Sequence, residues 1–146
     1  MSEQDSINDF LVDIWTRINK IEERSLTAGL GEKISITEIH IIEKIGTNQP
    51  SHMSAIAKLL GITLATLTVA CDKLESKGFI QRIRNASDKR VVNISLTPRG
   101  QAVYAYHQNF HDRMISAALS DLSEQETELL ASSLKKLKSF FEEEEF

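Results

Sequence analysis

The chain has 146 residues, 41% of them hydrophobic and 26% charged, with a formal net charge of −4 and a single cysteine, Cys71. That balance fits one compact, folded domain and argues against disorder outside the ends. It also excludes a disulfide framework, and no CxxC or Cys/His spacing suggests a zinc finger.

No apolar run approaches the length of a membrane span, and the start "MSEQDSINDF" is polar and acidic where a secretory signal would be basic and then apolar. A cytoplasmic protein without a membrane partner is expected. The charge is unevenly spread. Between residues 50 and 100, Lys58, Lys73, Lys77, Arg82, Arg84, Lys89, Arg90 and Arg99 face only Asp72, Glu75 and Asp88, and the rest of the chain is strongly acidic. A basic middle between acidic ends is the footprint of a lobe that meets nucleic acid.

In chain order, Ile7, Phe10, Leu11, Ile14, Ile18 and Ile21 recur at helical spacing and predict an amphipathic first helix. "SITEIHIIEKIG" predicts a second, with Ser35 and Glu38 as a capping box and Gly46 as its stop. A short third helix follows Pro50, capped at Ser51 or Ser54 and ending at Gly61; a fourth runs from about Thr63 to Lys77 and stops at Gly78. The period then changes to two in "FIQRIR" (Phe79 to Arg84) and "VVNISL" (Val91 to Leu96), around the polar turn "NASDKR", which predicts one β-hairpin.

Thr97 caps a fifth helix, with Pro98 at its first position and a stripe of Val103, His107, Phe110, Met114, Ala118 and Leu119. Ser123 and Glu126 box the start of a final helix bearing Leu129, Leu130, Leu134, Leu137 and Phe141, before a frayed "EEEEF" tail. The fold class is mainly α with a small β-hairpin. The outer helical stripes exceed what the central lobe can cover, which points to a second copy as partner; an intramolecular core is the alternative.

Ala57, Gly61 and Leu67 satisfy the packing of a helix-turn-helix: a small residue for close approach, a glycine for the turn, and an anchor for the second helix. From Leu59 to Gly100, "LLGITLATLTVACDKLESKGFIQRIRNASDKRVVNISLTPRG" resembles the MarR family of winged-helix repressors. The most specific match is Asp88, Arg90, Leu96, Thr97 and Gly100, on the family's D-x-R…L-T-x-x-G pattern.

The resemblance extends over the whole chain in element order and implies a single domain, 1–146. Within it, residues 35–97 form the winged helix-turn-helix lobe, and residues 1–34 with 98–146 form the helical dimerisation lobe. It implies that the fourth helix enters a DNA major groove and that the wing tip carries Arg90 into the adjacent minor groove, oriented by Asp88. Independently of family, a guanidinium on a two-stranded ribbon suits a narrow A·T minor groove.

The exposed positions at the start of that helix, Thr63, Leu64, Ala65, Thr66, Thr68 and Val69, include no Arg, Asn or Gln able to grip a guanine or adenine edge. Methyl contacts to thymine are expected instead, hence an A·T-rich palindrome with half-sites about 34–36 Å apart. Lys73, Arg84 and Lys89 are candidate phosphate contacts, and Arg82 either joins them or faces inward.

For effectors, Cys71 shares a helix face with Leu67 and Leu74 and reads as core, not as a redox switch. His107 and His111 are four apart and, with His40 and Glu22 or Glu23, form a candidate metal set similar to the zinc-sensing branch of the family, though such a pair more often packs or hydrogen-bonds. "KISITEIHIIEKIG" and "YHQNFHDRM" are similar to the branch that represses fatty-acid synthesis in Gram-positive bacteria. That likeness implies a long-chain acyl group on acyl carrier protein as co-repressor; an acyl chain needs an apolar tunnel, which Ile14, Ile18, Ile41 and Phe110 could line unless they simply fill the core, and His40, His107 and His111 are further effector-site candidates.

No cofactor is required on this reading. The absence of G-x-S-x-G, a phosphate loop and HExxH argues against an enzyme. A helical protein-interaction adaptor is the alternative from another class.

Overall fold

The computed structural model describes residues 1–144. Helix α1 spans Glu3–Asp9, followed by a π-helical stretch, Phe10–Ile14, and helix α2, Trp15–Leu30. The start is set by Ser2, whose hydroxyl accepts the Asp5 N–H at 3.1 Å while the Asp5 carboxylate accepts the Ser2 N–H at 2.9 Å. Helix thus begins before the predicted Ile7 and continues past Ile21. The apolar period fades there because a core position is taken by a polar residue: Glu22 is 2% exposed, between apolar turns that end at Leu26.

Helix α3 runs Ile36–Thr47. Ser35 caps it, accepting the Glu38 N–H at 3.2 Å, but the Glu38 carboxylate bonds the Ser35 hydroxyl and the Lys77 ammonium, and Glu23 takes the Ile36 N–H at 3.1 Å. Two orphan N–H groups of the first turn are therefore satisfied by the Ser35 hydroxyl and by the Glu23 carboxylate of α2. Gly46 does not stop α3. It lies inside the helix, where the Tyr104 ring occupies the space a Cβ would need.

Strand β1 is only Ser51–His52, and α4 follows at Met53–Leu60 with His52 as N-cap and no side-chain cap from either predicted serine. Helix α5 spans Leu64–Ser76, strand β2 Ile80–Arg84 and strand β3 Val92–Leu96. The sheet has three strands in the order β1-β3-β2, both pairings antiparallel, with Ser51 opposite Ile94 and Ile80 opposite Leu96. The single hairpin of the sequence reading is corrected by β1, which at two residues is too short to show an alternation.

Helix α6 spans Pro98–Ala118, leaving Leu119 beyond it; the Thr97 hydroxyl accepts the Gly100 N–H and donates to the Gly78 carbonyl. Helix α7, Glu124–Glu143, opens with the full Ser123–Glu126 box. It therefore takes in Glu142 and Glu143 of the expected tail, whose last two residues lie outside those described.

The chain forms two compact units, Met1–Phe110 and His111–Phe146, divided inside α6. In the first, Leu26, Ile39, Ile42, Ile45, Ile56, Leu67, Leu74 and Ile94 form the centre of the core. Its α1 end leaves Ile7, Phe10, Leu11 and Trp15 about half exposed. In the second unit no described α7 residue is buried, and Leu129, Leu130, Leu134, Leu137 and Phe140 form an exposed apolar stripe. Among the described residues no single helix is long and apolar enough to cross a membrane.

Candidate nucleic-acid interface

Helices α4 and α5 meet at 107°, the angle of a helix-turn-helix. Gly61 makes the turn possible at φ +66°, a left-handed conformation that a side chain resists. Ala57 is buried at the contact, and Leu67, Cys71 and Leu74 anchor the inner face of α5.

All six predicted reading positions, Thr63, Leu64, Ala65, Thr66, Thr68 and Val69, are exposed. Their hydroxyls are committed locally. Thr63 caps α5 by accepting the Thr66 N–H at 3.1 Å and donates to the Thr66 hydroxyl at 2.8 Å, and Thr68 donates to the Leu64 carbonyl at 2.8 Å. What α5 offers outward is mostly methyl surface, with Leu64 50% and Val69 61% exposed.

In the wing, the Asn85 carboxamide oxygen accepts the N–H groups of Ser87 and Asp88, forming a tight Asx turn. Asp88 then grips Arg90 with both oxygens: Nε to Oδ1 at 3.2 Å and Nη2 to Oδ2 at 3.4 Å. The Arg90 side chain is 92% exposed. Its guanidinium, helped by its backbone N–H, holds the Asp88 carboxyl below the usual carboxylate range. Arg84 donates to the Lys89 carbonyl at 3.3 Å, bracing the tip on which Lys89 is exposed.

Arg82 takes the inward alternative. It bonds Asp72 at 2.6 Å and Glu75 at 3.2 Å, pinning β2 to the recognition helix. The Arg82 side-chain bonds lower the Glu75 pKa, and the Glu75 bond in turn raises that of Arg82. Arg82→Ala should therefore loosen the wing and weaken DNA binding severalfold without loss of helix content, checked by fluorescence anisotropy beside circular dichroism.

Between α4–α5 and the wing lies a cleft of about 330 Å³, lined by His52, Met53, Ser54, Leu64, Thr68, Arg82, Arg84, Arg90, Val91 and Val92. His52 and Ser54 carry no sequence signal of this role, because only the β1–β3 pairing brings them to the wing. Lys73 lies elsewhere, in a shallower concavity with Thr66, Val69 and the start of α3.

The effector candidates are placed less uniformly. Glu22 is buried with the Nε2 of His107 at 3.3 Å and that of His40 at 3.9 Å, and Glu43 lies 3.9 Å from the Nδ1 of His107. Glu23 serves the α3 N-terminus instead. His111 follows His107 by one turn on α6, at the start of the second unit. Ile41 belongs to the core and Phe110 is buried, whereas Ile14 and Ile18 are partly exposed on the first helical run.

Burial pushes the Cys71 thiol up to about 11. It is fully buried, so an aromatic disulfide reagent at neutral pH should label Cys71 only in denaturant. Prompt labelling of the folded protein would show that α5 lifts from the core.

A two-helix reader beside an arginine-bearing wing defines a winged helix-turn-helix DNA-binding protein. Residues 34–92 match the model of the MarR family. The chain is 34% identical to Streptococcus pneumoniae FabT, solved in complex with DNA, covering 96% of this chain and 98% of that one at a TM-score of 0.89. It is 30% identical to an uncharacterised HTH-type regulator, YkoM of Bacillus subtilis, over 80% of this chain and 75% of YkoM. To another regulator of that organism, YhjH, it is 28% identical over 70% of its own length, and it spans 58% of YhjH. The chain belongs to the MarR family: it is a DNA-binding transcriptional regulator, not an enzyme.

Proposed function

We propose that the protein is a cytoplasmic repressor that binds an A·T-rich palindrome as a homodimer. The observation that carries this reading is the pairing of a methyl-rich α5 face with an exposed, carboxylate-steered Arg90. The first suits thymine methyls in a major groove, and the second a narrow minor groove. Its Asp88, Lys89 and Arg84 neighbours support the wing tip, and Lys73, in the last turn of α5, is a further candidate for a phosphate contact. The exposed apolar stripes of α1 and α7 support the homodimer, since apolar faces of this extent favour coverage by a symmetric copy.

The pathway proposed is fatty-acid synthesis, with a long-chain acyl group on acyl carrier protein as co-repressor. The likeness to FabT supports it. The acyl chain would lie against Ile14, Ile18, Ile41 and Phe110. Anisotropy on a selected A·T-rich palindrome, with and without acyl carrier protein loaded with a long chain, tests this. Tighter binding with the loaded carrier alone is expected, and identical binding with loaded and unloaded carrier would overturn the co-repressor.

A second reading rests on the buried Glu22–His107 contact, two groups of the kind that ligate zinc and that fall in a cluster with His111 able to hold a metal ion. Zinc that shifts DNA affinity, with the shift lost on chelation and in His107→Ala, would favour it over the acyl group.

A further inference from the structure

The recognition helix α5 starts at its reading positions and ends at its C-cap Lys77, about 20 Å further along the axis at 1.5 Å per residue. The last carbonyls of a helix lack partners within it. Here the chain that follows turns back to take two of them, with the Phe79 and Gly78 N–H groups donating to the Leu74 and Glu75 carbonyls at 3.0 Å each. The Lys77 carbonyl goes to Arg99, the second residue of α6, whose Nη1 donates to it at 2.5 Å. The other arm of the guanidinium, Nη2, binds the Glu32 carboxylate in the α2–α3 connection. The guanidinium carbon lies 5.0 Å from the centre of the Phe79 ring, and a cation at this end also suits the helix dipole.

The backbone around Arg99 makes room for this bridge. Gly78 has φ +81°, and a Cβ there would lie 3.0 Å from the Arg99 Nη1. A Cβ at Gly100 would collide with the Phe79 carbonyl oxygen, so the first turn of α6 seats directly on the chain leaving α5. The Lys77 ammonium makes a second tie from the same residue, to both Glu38 oxygens on α3 at 2.9 and 2.8 Å. Arg99 stands at one of the two positions that the L-T-x-x-G pattern leaves free, so the pattern itself gives it no role.

We propose that Arg99 is a positioning residue for DNA reading. By bridging the Lys77 carbonyl and Glu32 it fixes the C-terminal end of α5 against the α2–α3 connection, and so sets the tilt at which Thr63 to Val69 meet the bases, without touching DNA itself. A planar fork suits the task, since two acceptors and a ring face must be met at once. This inference rests on the DNA-binding reading above.

The test measures dissociation constants for palindromic and random DNA over a series of salt concentrations, with the wild type, Arg99→Met, Glu32→Gln and the double variant. Methionine keeps an unbranched apolar stem beside Phe79 and removes the fork. Each single variant should lose about three- to tenfold in affinity for the palindrome and little for random DNA, and the double variant should lose no more than Arg99→Met, because both remove one bridge. The salt slope of Arg99→Met should equal that of the wild type. Glu32→Gln is the sharpest arm: removing an acid makes the protein less negative, so bulk charge alone would tighten DNA binding, whereas loss of the bridge weakens it.

A salt slope lowered by about one in Arg99→Met would make Arg99 a phosphate contact and overturn the inference. Unchanged or tighter binding in Glu32→Gln would overturn it too, and in either case a wild-type preference for the palindrome leaves the DNA-binding reading intact. A wild type without that preference would overturn both together. Circular dichroism of the variants should match the wild type, because the Arg99 and Glu32 side chains are 52% and 42% exposed.

Discussion

Replacing Arg90 by alanine is expected to weaken binding to palindromic DNA by about ten- to a hundredfold and to lower the slope of log affinity against log salt by about one. Both effects follow from its position. The side chain is 92% exposed, so it makes no packing contribution whose loss would mimic a binding defect. Its direction is set by the two Asp88 contacts and by the Asx turn beneath them.

Asp88→Ala should give a smaller loss, because the guanidinium remains and only its steering is removed. Arg90→Lys should recover the salt slope more fully than the affinity, since an ammonium restores the charge but not the planar fork. An unchanged affinity and slope in Arg90→Ala would mean that the wing does not touch DNA. The outer helices would then be better read as an adaptor surface for another protein.

The second large effect is on stability. Leu67 is fully buried and is the first anchor of α5 on the core, set between the exposed reading positions Thr66 and Thr68. Leu67→Ala should cost about 2–5 kcal/mol, the lost burial plus the cavity that remains. For a chain of this size that lowers the melting temperature by roughly 10 °C or more. Thermal unfolding followed by circular dichroism measures it. Val69→Ala, two residues away and 61% exposed, should change stability little and DNA affinity more. The contrast separates the two faces of one helix, and equal destabilisation by both would show that the faces are wrongly assigned.

How much of this was legible in the sequence differs from element to element, for physical reasons. Helix α5 was legible because its cap, its apolar face and its glycine-led turn all act within a few residues. The Ser123–Glu126 box and the wing strands were legible for the same reason. Helix α2 was cut short because Glu22 occupies a buried position that periodicity expects to be apolar. Gly46 was taken as a stop because a glycine near a helix end usually is one; the ring of Tyr104, distant in sequence, is what requires it.

The wing tip was read through its resemblance to the family's D-x-R pattern, and the Asp88–Arg90 contact that the likeness implied is local, two residues apart. The inward turn of Arg82 could not be decided, because its partners lie on another element. His52 was invisible as a site residue for a similar reason: its link to Asn93 spans 41 residues and exists only through the sheet register. Local chemistry was readable, and chemistry assembled across elements was not.

The central claim is that α5 and the wing together read DNA. The most direct measurement is competitive anisotropy on an A·T-rich palindrome against random DNA at matched salt, with the wild type and Arg90→Ala side by side. The account predicts that the wild type prefers the palindrome by at least about a thousandfold over random sequence, with most of that preference lost in the variant. Equal affinity of the wild type for both DNAs, or an unaltered preference in Arg90→Ala, would contradict it.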